Sequence, residues 1–426
     1  MKKSIKLMGL AFAALAVAAA AVGVSSVSAQ TDDEILVWTD AIRLPGFQMY
    51  QKKFPNVKMR IVTTDMGPFV SKIDLFNKSG GGWPDVVFTP GPDQVAYLSQ
   101  KNMNYTADLT PLVSKDIISK FSQTSLGQCR IGGKLYCLRN DIAQVVTWYN
   151  ASLMKQFGYT VPKTYEEYQA LGLRVAKEHP GYVVGSFGDG QALNAYISGS
   201  DCIVQQSISA TTVRINTASV NCTRIAKLID TLVEAGSLSK FGPFDAEYIK
   251  LANENKILMM PAASWYGEFV FKAAYKTPAG QLSVALPLRW ADRATPITGA
   301  QGGGAYFVST HAKNPQAAAD IAIWMATSNE YQVDSPTQPA YQPAADAWGK
   351  KLASDKYYVN DPYPILRESA PMISGRANLV RYDPAGPFAN IVVTGVKGGK
   401  TALGLFEVWG KELDQVAKLA GYRVIR

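Results

Sequence analysis

Apolar positions in this chain come first as one long run and afterwards as short runs cut by polar turns. Residues 7–24 are almost wholly apolar and follow a cationic start at Lys2, Lys3 and Lys6. Next come Ser25-Ser26-Val27-Ser28-Ala29, whose small residues at Val27 and Ala29 give the cleavage pattern of a secretory signal peptide. A membrane anchor is the competing reading, since the run is near the lower length of a spanning helix. Its alanine content and the processing site favour export, with cleavage after Ala29. Past the leader, Ile35-Leu36-Val37-Trp38 reads as a buried strand ended by Thr39-Asp40. Residues 57–63 alternate like a strand, 65–77 carry a helical period, and Asp85-Val86-Val87-Phe88-Thr89 is a second buried strand. Strand and helix alternating at this spacing predict a mainly parallel α/β sheet, with ligands beyond the strands' carboxyl ends.

A second α/β region begins near Ile142. Residues 145–149 read as its first strand, and residues 164–178 as an amphipathic helix capped by Thr164. Further helix and strand segments are expected over 224–235, 246–255 and 256–260. The Gly-rich stretch Gly299-Ala300-Gln301-Gly302-Gly303-Gly304 then precedes a strand at 305–308 and a helix at 315–326. The last third reads as helices joined by loops bearing Pro and Tyr.

Composition narrows the function. The chain has 426 residues and a formal charge of +9, which falls to +6 for the 397 residues left after leader removal. No dense Lys/Arg cluster accompanies that modest charge, so no nucleic-acid partner is implied. The length suggests two domains or lobes. An exported protein has no cytosolic ATP or NAD to use. Four cysteines in an oxidising compartment imply two disulfides with three possible pairings. Short loops favour Cys129–Cys137, around Gly132-Gly133, and Cys202–Cys222. Metal binding is disfavoured, because the spacings are not CxxC and His179 and His311 are the only histidines.

Seven segments, in order, resemble one family. They are Ile35-Leu36-Val37-Trp38; the block from Tyr50 to Met59 around Phe54-Pro55; Gly82-Trp83-Pro84-Asp85-Val86; Ala107-Asp108-Leu109-Thr110-Pro111-Leu112; Gly132-Gly133-Lys134-Leu135-Tyr136 followed by Trp148-Tyr149-Asn150; Pro162-Lys163-Thr164-Tyr165-Glu166-Glu167; and the late helix from Ala319 to Gln332. Together they resemble the family-1 extracellular solute-binding proteins of ATP-binding-cassette importers, the group containing the maltodextrin-binding proteins. Two departures stand out. Cys137-Leu138-Arg139 replaces the family's Gly-Leu-Pro, and Gln30, not a lipid-accepting Cys, follows Ala29.

The resemblance implies a two-lobed periplasmic-binding-protein fold of type II-like topology, each lobe a mainly parallel sheet flanked by helices. One lobe would comprise residues 30–140 plus 288–332, the other 141–287 plus 333–426. It implies no cofactor, a small-molecule sugar held between the lobes, a membrane permease partner, a monomer and a periplasmic location. Sugars present C–H faces to aromatic rings and hydroxyls to planar polar groups. Trp265 resembles the family's sugar-stacking tryptophan. Asp40, Arg43 and Asp93 follow strand ends, where helix capping is the alternative role. Asp141 and Gln144 lie at the crossover and would bond ligand or the hinge. Gly302 and Gly303 would admit ligand close to backbone or simply turn the chain. Tyr341, Arg376 and Tyr382 lie in late loops that would add contacts from the second lobe. Trp324 and Tyr357-Tyr358 read as packing. A charged solute, either a polyamine or a phosphorylated sugar, is the alternative ligand. An exported glycoside hydrolase is disfavoured, because no G-x-S-x-G, S-x-x-K or H-E-x-x-H occurs.

Overall fold

Apolar side chains on both faces of Ile35–Thr39 commit that strand to a sheet interior. The computed structural model, which describes residues 34–374 and 380–426, places it second in a five-stranded sheet. The predicted leader (residues 1–29) and Arg376 lie outside the described residues. Across the sheet the order is Met59–Thr63, Ile35–Thr39, Val86–Thr89, Ala305–Val308 and Leu138–Arg139. The first three strands are parallel, with Val37 aligned between Ile61 and Val86. Helices Leu44–Lys53 and Phe69–Ser79 make the crossovers between them. The second of these starts four residues later than its apolar period predicts, directly after Pro68. Ala305–Val308 runs antiparallel to Val86–Thr89, and Leu138–Arg139, antiparallel to Ala305–Val308, returns to the direction of the first three strands.

The later region differs from expectation in strand direction. Val145–Asn150 lies between Met259–Ala263 and Leu282–Ala285, and both pairings are antiparallel. Among the described residues, parallel pairing of strands there is found in Leu238–Ser239 with Gly185–Ser186 and Arg423–Ile425 with Thr212–Ile215, beside single bridges such as Val183 to Ile257. A strand buried on both faces gives the same continuous apolar run whichever way its neighbours run. Hydrophobic pattern therefore finds the strands and leaves their direction open. Helix Tyr165–Glu178 begins as expected at Thr164. The Thr164 hydroxyl accepts the Glu167 N–H at 3.1 Å, and the Glu167 carboxylate accepts the Thr164 N–H at 3.2 Å. Such a reciprocal cap is worth about 1 kcal/mol, and it fixes the face that buries Tyr168, Leu171 and Val175.

Among the described residues, buried apolar side chains form three clusters. The first gathers residues from Ile35 to Ile142 with Ala305–Val308 and the inner face of Pro315–Thr327. The second runs from Leu153 to Trp290 and takes in Val380 to Tyr422. The third packs the antiparallel sheet against Trp348, Leu352 and Leu366. Disulfides join Cys129 to Cys137 in the first cluster and Cys202 to Cys222 in the second, with Cα separations of 5.0 and 4.6 Å.

Candidate functional site

Three of the chain's passages between the first cluster and the other two lie side by side, around residues 140–144, 298–303 and 337–340. Backbone bridges tie Asp141 to Pro339 and Gln144 to Ala300, and the Thr298 hydroxyl donates to the Val145 carbonyl at 2.7 Å. Polar side chains complete this junction. Asp141 is buried and accepts hydrogen bonds from the Gly304 N–H at 2.7 Å and the Asn140 amide at 3.1 Å. The Gln144 amide donates to Gln338 at 2.8 Å and to the Leu366 carbonyl at 2.7 Å. Both candidates are thus engaged within the crossover.

Beside the junction lies a cavity of about 300 Å³. One wall comes from the first cluster's side. Strand Val86–Thr89 ends at Pro90-Gly91, and helix Pro92–Leu98 begins there with Asp93 in its first turn. Gln94 and, from a separate turn, Gln128 extend this wall. A proline at the first helical position suits its fixed φ and missing N–H, so the local sequence dictates where Asp93 stands. The opposite wall is built by residues 190–205, where a wide helical turn at Leu193–Ile197 brings Asn194 and Ser198 to the cavity. A reversal at Asp201, with φ of 60°, then leads through Cys202 to Gln205. Tyr382, Asp383 and Trp409 close the remaining side. The Tyr382 hydroxyl donates to the Gln205 side-chain oxygen at 3.0 Å, joining two wall segments far apart in sequence. The Gln100 amide donates to the Arg381 carbonyl, linking the two walls.

Charge in the described lining is one-sided. The lining among the described residues contains the carboxylates of Asp93 and Asp383 and no Lys, Arg or His. Burial raises the Asp93 pKa above the ordinary carboxylate value, and the neighbouring Asp383 charge adds to the rise. Behind the wall, Arg139 is fully buried and its guanidinium donates to the carbonyls of Asp141 and Gly302 at 3.1 and 3.3 Å. Burial pushes its pKa down to about 10, against the opposing pull of Asp141 and Asp93. Asp383 is held by backbone, accepting the N–H groups of Ala385 and Gly386 at 2.8 and 3.1 Å.

Of the residues singled out from sequence, Asp93, Gly302 and Tyr382 line this cavity. The other described ones occupy different surroundings. Asp40 accepts the Arg43 backbone N–H at 2.8 Å and pairs with its guanidinium at 3.0 Å, while Arg43 lies 4.3 Å from the centre of the Phe88 ring. Burial opposes the Arg43 charge, but Asp40 and Asp141 outweigh it and raise its pKa. The Trp265 indole N–H donates to the Gln301 carbonyl at 2.9 Å, and its ring packs on Tyr266. Tyr341 packs against Phe121. Gly303 has φ of 86°, and a Cβ there would fall 1.9 Å from the Arg139 guanidinium, so this glycine makes room for Arg139. Gly302, at φ of 75°, lines the cavity beside Pro90, whose carbonyl oxygen a Cβ there would meet at 3.6 Å. Sequence reading passed over Gln94, Gln128, Asn194, Gln205, Asp383 and Trp409. Gln94 and Asp383 adjoin residues that were named, whereas nothing in the local pattern marks the other four.

The chain as a whole matches a wider group of proteins. The sequence profile of the family described as bacterial extracellular solute-binding protein matches residues 36–332. The chain belongs to that family. Family members of this kind bind solutes outside the cytoplasm and are not enzymes. A galactooligosaccharide-binding protein of Bacillus subtilis is 22% identical over 410 residues, covering 93% of this chain and 90% of that one. Among solved structures, the galacto-N-biose/lacto-N-biose I-binding protein of an ABC transporter from Bifidobacterium longum, in complex with lacto-N-biose, superposes with a TM-score of 0.77. Its identity is 19%, covering 93% of this chain and all of that one. An ABC-transporter-associated binding protein from B. animalis subsp. lactis, in complex with β-1,6-galactobiose, gives a TM-score of 0.76 at 18% identity, covering 92% and 100%. This family member thus has the two-lobed α/β fold of sugar-binding relatives.

Proposed function

We propose that this exported solute-binding protein captures a short oligosaccharide in the cavity beside its crossovers and delivers it to an ABC import permease. The observation that carries the reading is the cavity's chemistry. Carboxamides of Gln94, Gln128, Asn194 and Gln205, carboxylates of Asp93 and Asp383, and the Tyr382 hydroxyl surround apolar Leu193, Ile197, Val204 and Val380. Planar amides and carboxylates meet vicinal hydroxyls in pairs, while apolar side chains take a sugar's C–H face. The β-galactoside ligands named for the relatives make galactosyl disaccharides the first compounds to test.

In this reading the first lobe comprises residues 30–140 plus 288–332 and the second 141–287 plus 333–426. The hydrophobic clusters follow that division broadly, although Leu288 and Trp290 pack with the second cluster and Ala340 and Ile373 with the first. The protein works as a periplasmic monomer after cleavage behind Ala29. Asp93, Gly302 and Tyr382 contact ligand, and Asp141 and Gln144 serve the hinge. Trp265 acts through Gln301, next to Gly302. A ligand that binds only the folded state stabilises it in proportion to occupancy. A thermal-shift screen should therefore show a rise of several degrees with galactosyl disaccharides. No shift with any carbohydrate, beside a clear shift with spermidine or phosphate, overturns the assignment.

A further inference from the structure

Asp93 reaches the cavity from the first residues of helix Pro92–Leu98, half-buried, and Asp383 stands exposed at the opposite side. Their charges are coupled, and the described lining offers no cation between them. Arg139, the nearest buried cation, has its guanidinium directed to the carbonyls of Asp141, Ile142 and Gly302. A ligand entering this space meets two carboxylates with no cation among the described lining, the Arg139 charge behind the wall offsetting Asp93 only in part, in a partly desolvated site where charge interactions are stronger than in water. Further polar capacity is unfilled at the same cavity. Trp409 lines it, is fully buried, and its indole nitrogen has no hydrogen-bond partner in the protein; the buried Gln128 side-chain oxygen is likewise unpaired. Buried polar atoms left unpaired are costly, so the wall is suited to polar groups of a ligand.

We propose that Asp93 and Asp383 make the cavity a charge filter that accepts neutral and amino-bearing saccharides and refuses acidic ones. The inference rests on the saccharide reading above and deepens it. Specificity of this kind works through repulsion: a uronic or phosphorylated sugar would place its anion beside carboxylates that cannot move away, because Asp383 is fastened to the Ala385 and Gly386 N–H groups. An ammonium group in the same position would gain a charge-assisted hydrogen bond.

The test is titration calorimetry on the full chain with three matched disaccharides: β-galactobiose, its galacturonic acid counterpart, and its amino-sugar counterpart. The acidic compound should bind at least roughly thirtyfold more weakly than the neutral one at low salt, since like-charge juxtaposition is strongly disfavoured. Added salt should narrow that gap. In the Asp93→Asn/Asp383→Asn variant the acid-to-neutral affinity ratio should approach one, and a general loss of affinity would leave this ratio unmoved. Asn keeps an oxygen for one of the Ala385 and Gly386 N–H groups, which bond different oxygens of Asp383, and circular dichroism checks the fold. Equal binding of acidic and neutral compounds by the unaltered protein overturns the filter. So does a penalty that persists in the double variant, which would assign it to shape. Should all three compounds fail to bind, the galactosyl choice falls and the filter with it, whereas the saccharide reading is decided by the carbohydrate screen.

Discussion

In the proposed reading, Asp93 serves binding at the expense of stability. Burial and the Asp383 charge raise its pKa in the folded protein, so the folded state holds the proton more tightly than the unfolded chain does. Stability contributed by this group therefore falls as pH rises from the ordinary value near 3.8 through the raised one. Asp93→Asn should accordingly raise the melting temperature at pH 7, and the gain should shrink as pH drops through that window. Melting curves of the two proteins from pH 7 to pH 3 decide the matter; a gain that is constant across that range, or a loss at pH 7, contradicts it. At the same scale, sequence reading found Asp93 because it follows a strand end, whereas Trp409 looks like any aromatic residue on an amphipathic helix. Trp409 reaches the cavity only through the packing of Ala402–Leu419 against the second cluster.

At the scale of elements, the second disulfide braces a wall of the site. Cys202 lines the cavity, and its bond to Cys222 fixes the segment ending at Gln205 to the start of helix Val220–Glu234. Removing it from the Cys202→Ser/Cys222→Ser variant should cost about 3 kcal/mol of stability, as expected for a loop of this length. The wall's loosening should also weaken ligand binding about tenfold, because ordering it again on binding costs free energy. Denaturant melts give the first quantity and calorimetry on the folded variant the second. Unchanged affinity would show that the wall keeps its form without the bond. The short loops pointed to both cysteine pairs, since a closed turn needs little chain reversal. They gave no sign that one pair would stand at the cavity, because residues 190–205 come to face 90–94 only in the folded molecule.

Over the whole molecule, the cavity is shared between parts of the chain far apart in sequence. Saturating disaccharide should slow amide hydrogen exchange at residues 90–98, at 193–205 and at 380–388 together. Mass spectrometry of exchanged peptides reads this directly. Protection confined to one of these segments would mean that ligand engages one wall alone. The junction at residues 140–144, 298–303 and 337–340 makes such joint behaviour expected, since its side chains bond to one another across the three passages.

Hydrophobic run lengths were enough to find the strands Ile35–Thr39, Val86–Thr89 and Ala305–Val308, and Thr164 with Glu167 was enough to start a helix. These features depend on neighbours in sequence: burial on both faces, or a hydroxyl three residues from an amide. Strand direction around Val145–Asn150 depends on Met259–Ala263 and Leu282–Ala285, and the roles of Asp141 and Gln144 depend on Pro339, Gln338 and Leu366, all far along the chain. The cavity itself belongs to that second kind. Its carboxylates, amides and indole are ordinary surface or core residues in sequence, and they become one site only where two separately packed hydrophobic clusters meet.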